Sequence, residues 1–254
     1  MTSLPLITDP LFYAVAIPAV LLQGLSKSGF GAGFGALTVP LLALAIPVPQ
    51  AAAVMMPLLF VMDILGLRAW HAHIDWKLAR FLVPWGLLGT AVGTFLFKVL
   101  DGHLVAGIVG VCTLAFLAQR LLFPPRADSP PAPRWVGSIL VTVAGFTSFV
   151  AHAGGPAINA YVLPMRLLPS TYAATMAAFF FVMNLAKWVP YAWLGLLDVQ
   201  NMSTSMVLLP IAPVGVWLGV RLARRINPLW FYRCVYGGML LTGLKLVHEG
   251  FLVH

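Results

Sequence analysis

Apolar residues run through this chain in long blocks broken by proline, glycine and charge, and the blocks predict about ten hydrophobic segments. They cover roughly 10–25, 28–46, 50–67, 79–98 and 103–122 in the first half, and roughly 135–151, 153–168, 171–189, 204–221 and 229–247 in the second. Crossing a bilayer takes about 20 apolar residues in a helix, so most of these blocks are near spanning length. The fold class predicted is an all-α polytopic membrane protein.

The halves repeat one another. Phe60-Val61-Met62-Asp63 returns 121 positions later as Phe181-Val182-Met183-Asn184, and the same offset lays Gly24 over Gly145 and Gly33 over Gly154. Residues 1–123 and 135–254 are therefore read as two transmembrane repeats within one integral membrane domain. Residues 124–134, with five prolines and two arginines, form the linker, which cannot continue a helix. Five segments per half is an odd number, so the second repeat is expected to sit inverted relative to the first, with interrupted or re-entrant helices at the glycine-rich runs. Re-entrant hairpins in place of the first two segments of each half would preserve that parity.

Loop charge gives an independent reason to expect inversion. Arg68, Lys77 and Arg80 follow the third segment, while its repeat partner, residues 190–203, has no lysine or arginine; the next loop reverses the pattern, with Lys98 against Arg221, Arg224, Arg225 and Arg233. With both termini outside and the linker inside, eleven basic residues fall on the cytoplasmic side and two, Lys98 and Lys245, outside. A multi-pass protein of the cytoplasmic (inner) membrane is expected. In a Cys-less background, Ser129→Cys should react with an impermeant thiol reagent from the cytoplasmic face alone; reaction from outside would sink this topology.

Composition agrees: of 254 residues, 61% are hydrophobic and 9% charged, with a mean hydropathy of +0.95. Soluble domains hold about 25% charged residues. The net charge of +8 is spread over membrane-flanking loops, which argues against a nucleic-acid partner. Met1 to Asp9 has no basic stretch, so the first apolar segment is expected to be retained. Cys112 and Cys234, in apolar runs without CxxC spacing, read as buried thiols. His71-Ala72-His73 lacks the further ligands of a metal site and reads as a solvated loop. No cofactor is called for.

The candidate chemistry lies in two glycine-rich runs, Gly24 to Gly35 and Gly145 to Pro156. Unwound backbone at membrane depth persists where it is buried in protein or lines a wet cavity, and helix starts there present N–H groups to an anion. Ser26, Lys27, Ser28, Gly29 and Gly33 in the first run, and Thr147, Ser148, His152, Gly154 and Gly155 with nearby Asn159 in the second, are candidate substrate-binding residues. Close helix packing is the competing reading of the glycines. Intramembrane ionisable and polar residues add Asn184 and Lys187 to the substrate set and Asp63 as a proton-coupling group. Against these stand a structural pairing of Asp63 with a surface arginine and snorkelling of Lys27 or Lys187 to an interface. The GxxxG pairs Gly89/Gly93 and Gly215/Gly219 read as helix contacts.

At these residues the chain resembles the sulfite exporter TauE/SafE family over essentially its full length. The resemblance rests on Gly29 through Pro40, Gly154-Gly155-Pro156 with Pro164, the loop His71 to Trp76, the helix Gly86 to Gly93, and Ala173-Ala174-Thr175 through Asn184, Lys187 and Gly195. The family's first-half Gly-Gly-Gly is here Gly33-Phe34-Gly35, and Lys27 is a departure from its pattern. The resemblance implies transport of sulfite, organosulfonates or related small sulfur-containing anions across the cytoplasmic membrane, with export the expected direction. The expected partners are that anion and the lipid bilayer, and a homo-oligomer is left open. An anion channel or facilitator and an intramembrane enzyme are the alternatives. The enzyme is disfavoured, because the chain carries neither an HExxH nor a GxSxG motif.

Overall fold

The computed structural model describes residues 5–27, 34–122, 132–222 and 228–252. Ser28, Gly29, Gly33, Ser129 and most of the linker lie outside the described residues. Among those described, the regular structure is all helical.

In chain order the helices are α1 (Pro10–Lys27), α2 (Thr38–Leu42), α3 (Val48–Trp70), α4 (Trp76–Val99), α5 (Gly102–Leu122), α6 (Arg134–Ala151), α7 (Gly155–Val162), α8 (Pro169–Trp193), α9 (Val199–Leu208), α10 (Ile211–Leu222) and α11 (Pro228–Phe251). Short 3-10 turns, Phe34–Leu37, His71–His73 and Leu163–Met165, fill three of the junctions. Local chemistry sets several boundaries. Pro49 and Pro169 sit in the first turns of α3 and α8, where no intrahelical N–H is needed. Asp75 caps α4 by accepting from the Leu78 N–H at 3.0 Å, and Asp198 caps α9 from Asn201 at 2.7 Å. Beyond α8 the chain turns through Gly195 at φ +70°, which a side chain would resist.

Among the described residues, six helices (α1, α3, α4, α5, α6 and α8) are long and apolar enough to cross a membrane, and α9 with α10 makes a seventh span if the bent pair is counted as one. The single segment expected at 204–221 is thus two helices, starting earlier and bent by 44° at the break. Pro210 lies in that break and cannot donate a backbone hydrogen bond. The expected segment 153–168 is an eight-residue helix followed by a 3-10 turn. At 1.5 Å per residue, such a helix is roughly 12 Å long, less than half the hydrocarbon thickness.

Helix starts carry the repeat. α3 begins at 48 and α8 at 169, the same offset of 121, and the turn-plus-α2 unit beginning at 34 answers α7 beginning at 155. Packing follows suit. Helix α1 packs on α10, as its counterpart α6 packs on α4; α3 packs on α8, and α5 on α11, each its own counterpart. Small residues allow the close crossings: a side chain at Gly24 would collide with the α10 backbone at Gly215, and one at Gly145 with the Gly86 carbonyl of α4. At the centre, Ala51 through Leu59 of α3 are buried without interruption, whereas Phe95, Val99 and Leu241 are apolar and exposed on the outside of the bundle. For a chain whose helices are long enough to span, an apolar outer face suits lipid.

Candidate functional site

The repeated tetrapeptides meet each other. Phe60 of α3 stacks on Phe181 of α8 with ring centroids 5.6 Å apart, and one step further along Asn184 donates its amide N–H to Oδ2 of Asp63. Both pairs are separated by the repeat offset, so each residue touches its own counterpart.

From this contact a chain of polar groups crosses the core. Lys27, the last residue of α1, donates to Oδ1 of Asp63 and lies 4.9 Å from the centre of the Phe180 ring. Asn184 Oδ1 accepts from Lys187 Nζ at 2.9 Å, and the same ammonium donates to the Ser148 carbonyl at 2.7 Å and the Ser148 hydroxyl at 2.8 Å. It also approaches His152 Nδ1 at 3.3 Å, while His152 Nε2 reaches the Ala52 carbonyl at 2.9 Å. The tautomer with its proton on Nε2 satisfies both histidine contacts. His152 ends α6 in the left-handed region, at φ 52°, which turns its ring inward. Four helices, α1, α3, α6 and α8, are tied together.

Beside this network lies a cavity of about 300 Å³. Its polar wall carries Gln23, Ser26, Lys27, Asp63, Ser148 and Asn184 with His152, and its apolar wall Leu59, Met62, Met176 and Phe180. It reaches Trp70 and Pro169, both exposed, at the end where α3 stops and α8 starts. The lysine side chain is 18% exposed and the Asp63 carboxylate fully covered, so a ligand entering the cavity meets the ammonium before the carboxylate.

The predicted residues divide accordingly. Ser26, Lys27, Asp63, Ser148, His152, Gly155 and Asn184 all line the cavity. Lys187 stands behind it, wholly buried, and holds Ser148, His152 and Asn184 in place. Asn159 is buried and linked to the cavity through Tyr172, whose hydroxyl donates to Asn159 Oδ1 at 2.5 Å. Gly154 precedes α7 and packs under the Ala144 carbonyl, where a side chain would not fit. Thr147 points elsewhere: its hydroxyl bonds back to the Val143 carbonyl at 2.8 Å, and it lines a separate apolar cavity beside α5. Asp63 pairs with Lys27 rather than with an arginine, and neither Lys27 nor Lys187 snorkels. Gln23, Trp70, Tyr172 and Phe180 were not singled out by the sequence reading. An amide inside an apolar helix, as at Gln23, is a usable signal. Gln23 Oε1 accepts from the Thr38 hydroxyl at 2.9 Å.

Removing Lys187 orphans several buried acceptors, each at a cost of about 1–3 kcal/mol. Lys187→Met should therefore lower the thermal midpoint of the detergent-solubilised protein markedly, and a midpoint equal to wild type would show that the clamp contributes nothing to stability.

Comparison with curated proteins and with solved structures finds no match. A family model, that of the sulfite exporter TauE/SafE, matches residues 16–246 and so takes in both halves of the repeat and every described residue of the polar network. By that match the chain belongs to the sulfite exporter TauE/SafE family.

Proposed function

We propose that the protein is a secondary transporter that carries a small organosulfonate or related sulfur-containing anion out of the cytoplasm by alternating access between two inverted halves. Family membership implies a membrane transporter of sulfite or related anions, not an enzyme. The observation that carries the finer reading is the accessible ammonium of Lys27, the one among the described residues that line the cavity, facing a wall that is apolar. A sulfonate stripped of water needs charge and hydrogen bonds in return, and Lys27 with Ser26, Ser148 and Asn184 offers them. Leu59, Met62, Met176 and Phe180 offer nothing to a hydrated inorganic anion but suit a small organic body. The loop charges favour a cytoplasmic position for the open end, near Arg68 and Lys77, with the termini outside.

A thermal-shift panel of methanesulfonate, sulfoacetate, taurine, sulfite, sulfate and thiosulfate on purified protein tests the ligand class. A ligand at 100 times its dissociation constant stabilises by roughly 2.7 kcal/mol. The sulfonates should stabilise most; stabilisation by sulfate alone, or by none of the panel, overturns the reading.

Asp63 supplies the coupling. Its carboxylate already occupies Lys27, so an anion arriving at Lys27 competes with it, and a proton on Asp63 removes the competitor. The other charged or titratable groups facing it are Lys27 from α1, Lys187 and Tyr172 from α8, and His152 at the end of α6. Asp63→Asn, the residue at the repeat position, should keep the fold and flatten the pH dependence of transport. An unchanged pH response would make Asp63 structural.

A further inference from the structure

The cavity has a counterpart that is closed. Gly66, Trp70, Ala173, Met176 and Ala177 line the open side, and moving each by the repeat offset gives Lys187, Tyr191, Ala52, Met55 and Met56. Trp70 is 43% exposed, whereas Tyr191 and the other four counterparts are all 0% exposed. The space that Gly66 leaves empty is, on the other side of the Asp63–Asn184 contact, the space that Lys187 fills. The molecule is thus open where α3 ends and α8 starts, and sealed where α3 starts and α8 ends.

Two halves that share one fold and pack through exchanged pairings have a second arrangement available, in which each adopts the other's conformation. We infer that this second arrangement opens an anion site at the opposite end of the α3–α8 pair, lined by Ala52, Met55, Met56 and Tyr191, with Lys187 as the cation that an anion meets there. The chemistry of Lys187 agrees. Its four acceptors, the Ser148 carbonyl and hydroxyl, Asn184 Oδ1 and His152 Nδ1, are all uncharged, while Lys27 is matched to a carboxylate. An anion at the second site brings the charge those neighbours lack. The two lysines approach the same contact from its two ends, Lys27 through Asp63 and Lys187 through Asn184, so an anion is handed from one to the other across the pair. This rests on the inverted-carrier reading above.

Thiol labelling tests it without depending on transport. In a Cys-less background, Ala173→Cys marks the open cavity and Ala52→Cys, with Met55→Cys as a second reporter, marks the closed one. Right-side-out and inverted vesicles are treated with an impermeant reagent. Ala173→Cys should react from the face carrying Arg68 and Lys77, and Ala52→Cys from the opposite face. Adding Ala177→Trp, which fills the open cavity, should raise the Ala52→Cys rate about tenfold and slow Ala173→Cys. Unreactive Ala52→Cys and Met55→Cys in both backgrounds, or reaction from the same face as Ala173→Cys, overturns the inference. Methanesulfonate should slow labelling at both cavities. Slowing at Ala173→Cys alone removes the second anion site, and slowing at neither removes the anion-carrier reading with it, even if the two-faced labelling stands.

Discussion

Lys27→Met should abolish methanesulfonate binding while the protein stays folded and inserted. The substitution keeps much of the side chain's length and apolar stem and removes the accessible ammonium that Lys27 brings to the cavity wall. Truncating a hydrogen-bonded charge pair costs roughly 2–5 kcal/mol of affinity, about thirtyfold or more. Survival of the fold is expected because Asp63 keeps its bond from Asn184. Isothermal titration of the two proteins measures the change. If affinity falls by less than about threefold, an effect of well under 1 kcal/mol, Lys27 serves only to neutralise Asp63 and is not a ligand.

Gly89→Ala should have the largest effect on stability. Helix α4 lies so close to α6 that a methyl group at Gly89 would overlap the Thr142 carbonyl oxygen, and Phe146 N stands 2.7 Å away. Both obstacles are backbone, so relief requires the two helices to part. Overpacking of this kind costs about 1–3 kcal/mol and more when nothing flexible can yield. Gly102→Ala is the control, since nothing lies within 4 Å of its added methyl. Thermal unfolding in detergent should show a large drop for the first and a change of at most about 0.5 kcal/mol for the second. Equal midpoints for the two would contradict the close packing of α4 on α6.

Much of the architecture is legible in the chain because it is written as repetition. The offset that aligns Phe60 to Asp63 with Phe181 to Asn184 also aligns the starts of α3 and α8, and the aligned residues turn out to touch. The break between α9 and α10 was not expected, because Pro210 sits within an apolar run and the hydropathy does not dip there. In the site, residue type nominated Lys27, Asp63, Ser148, His152, Asn184 and Lys187, since polar and ionisable groups inside apolar helices are costly and rarely idle. Which of them pair is another matter. Lys27 meets Asp63 across 36 positions, through the crossing of α1 and α3, and no periodicity encodes that crossing. Thr147 and Ser148 are neighbours on α6, about 100° apart around its axis, and one of the two lines the cavity. Sequence alone does not say which, and it is Ser148. Trp70 and Tyr172 lie at helix ends, where an aromatic reads as an interface anchor, and became candidates only when the cavity was seen to reach them.

Counterflow in proteoliposomes addresses carrier function most directly. Vesicles containing the purified protein are loaded with unlabelled methanesulfonate, and entry of a radiolabelled tracer is followed against empty vesicles. A carrier that alternates about the Lys27 and Asp63 pair should take up tracer faster when substrate waits on the far side, with saturation and with both effects lost in Lys27→Met. Entry that is non-saturating, indifferent to the far side and accompanied by ohmic current would mean a channel instead, and would contradict alternating access.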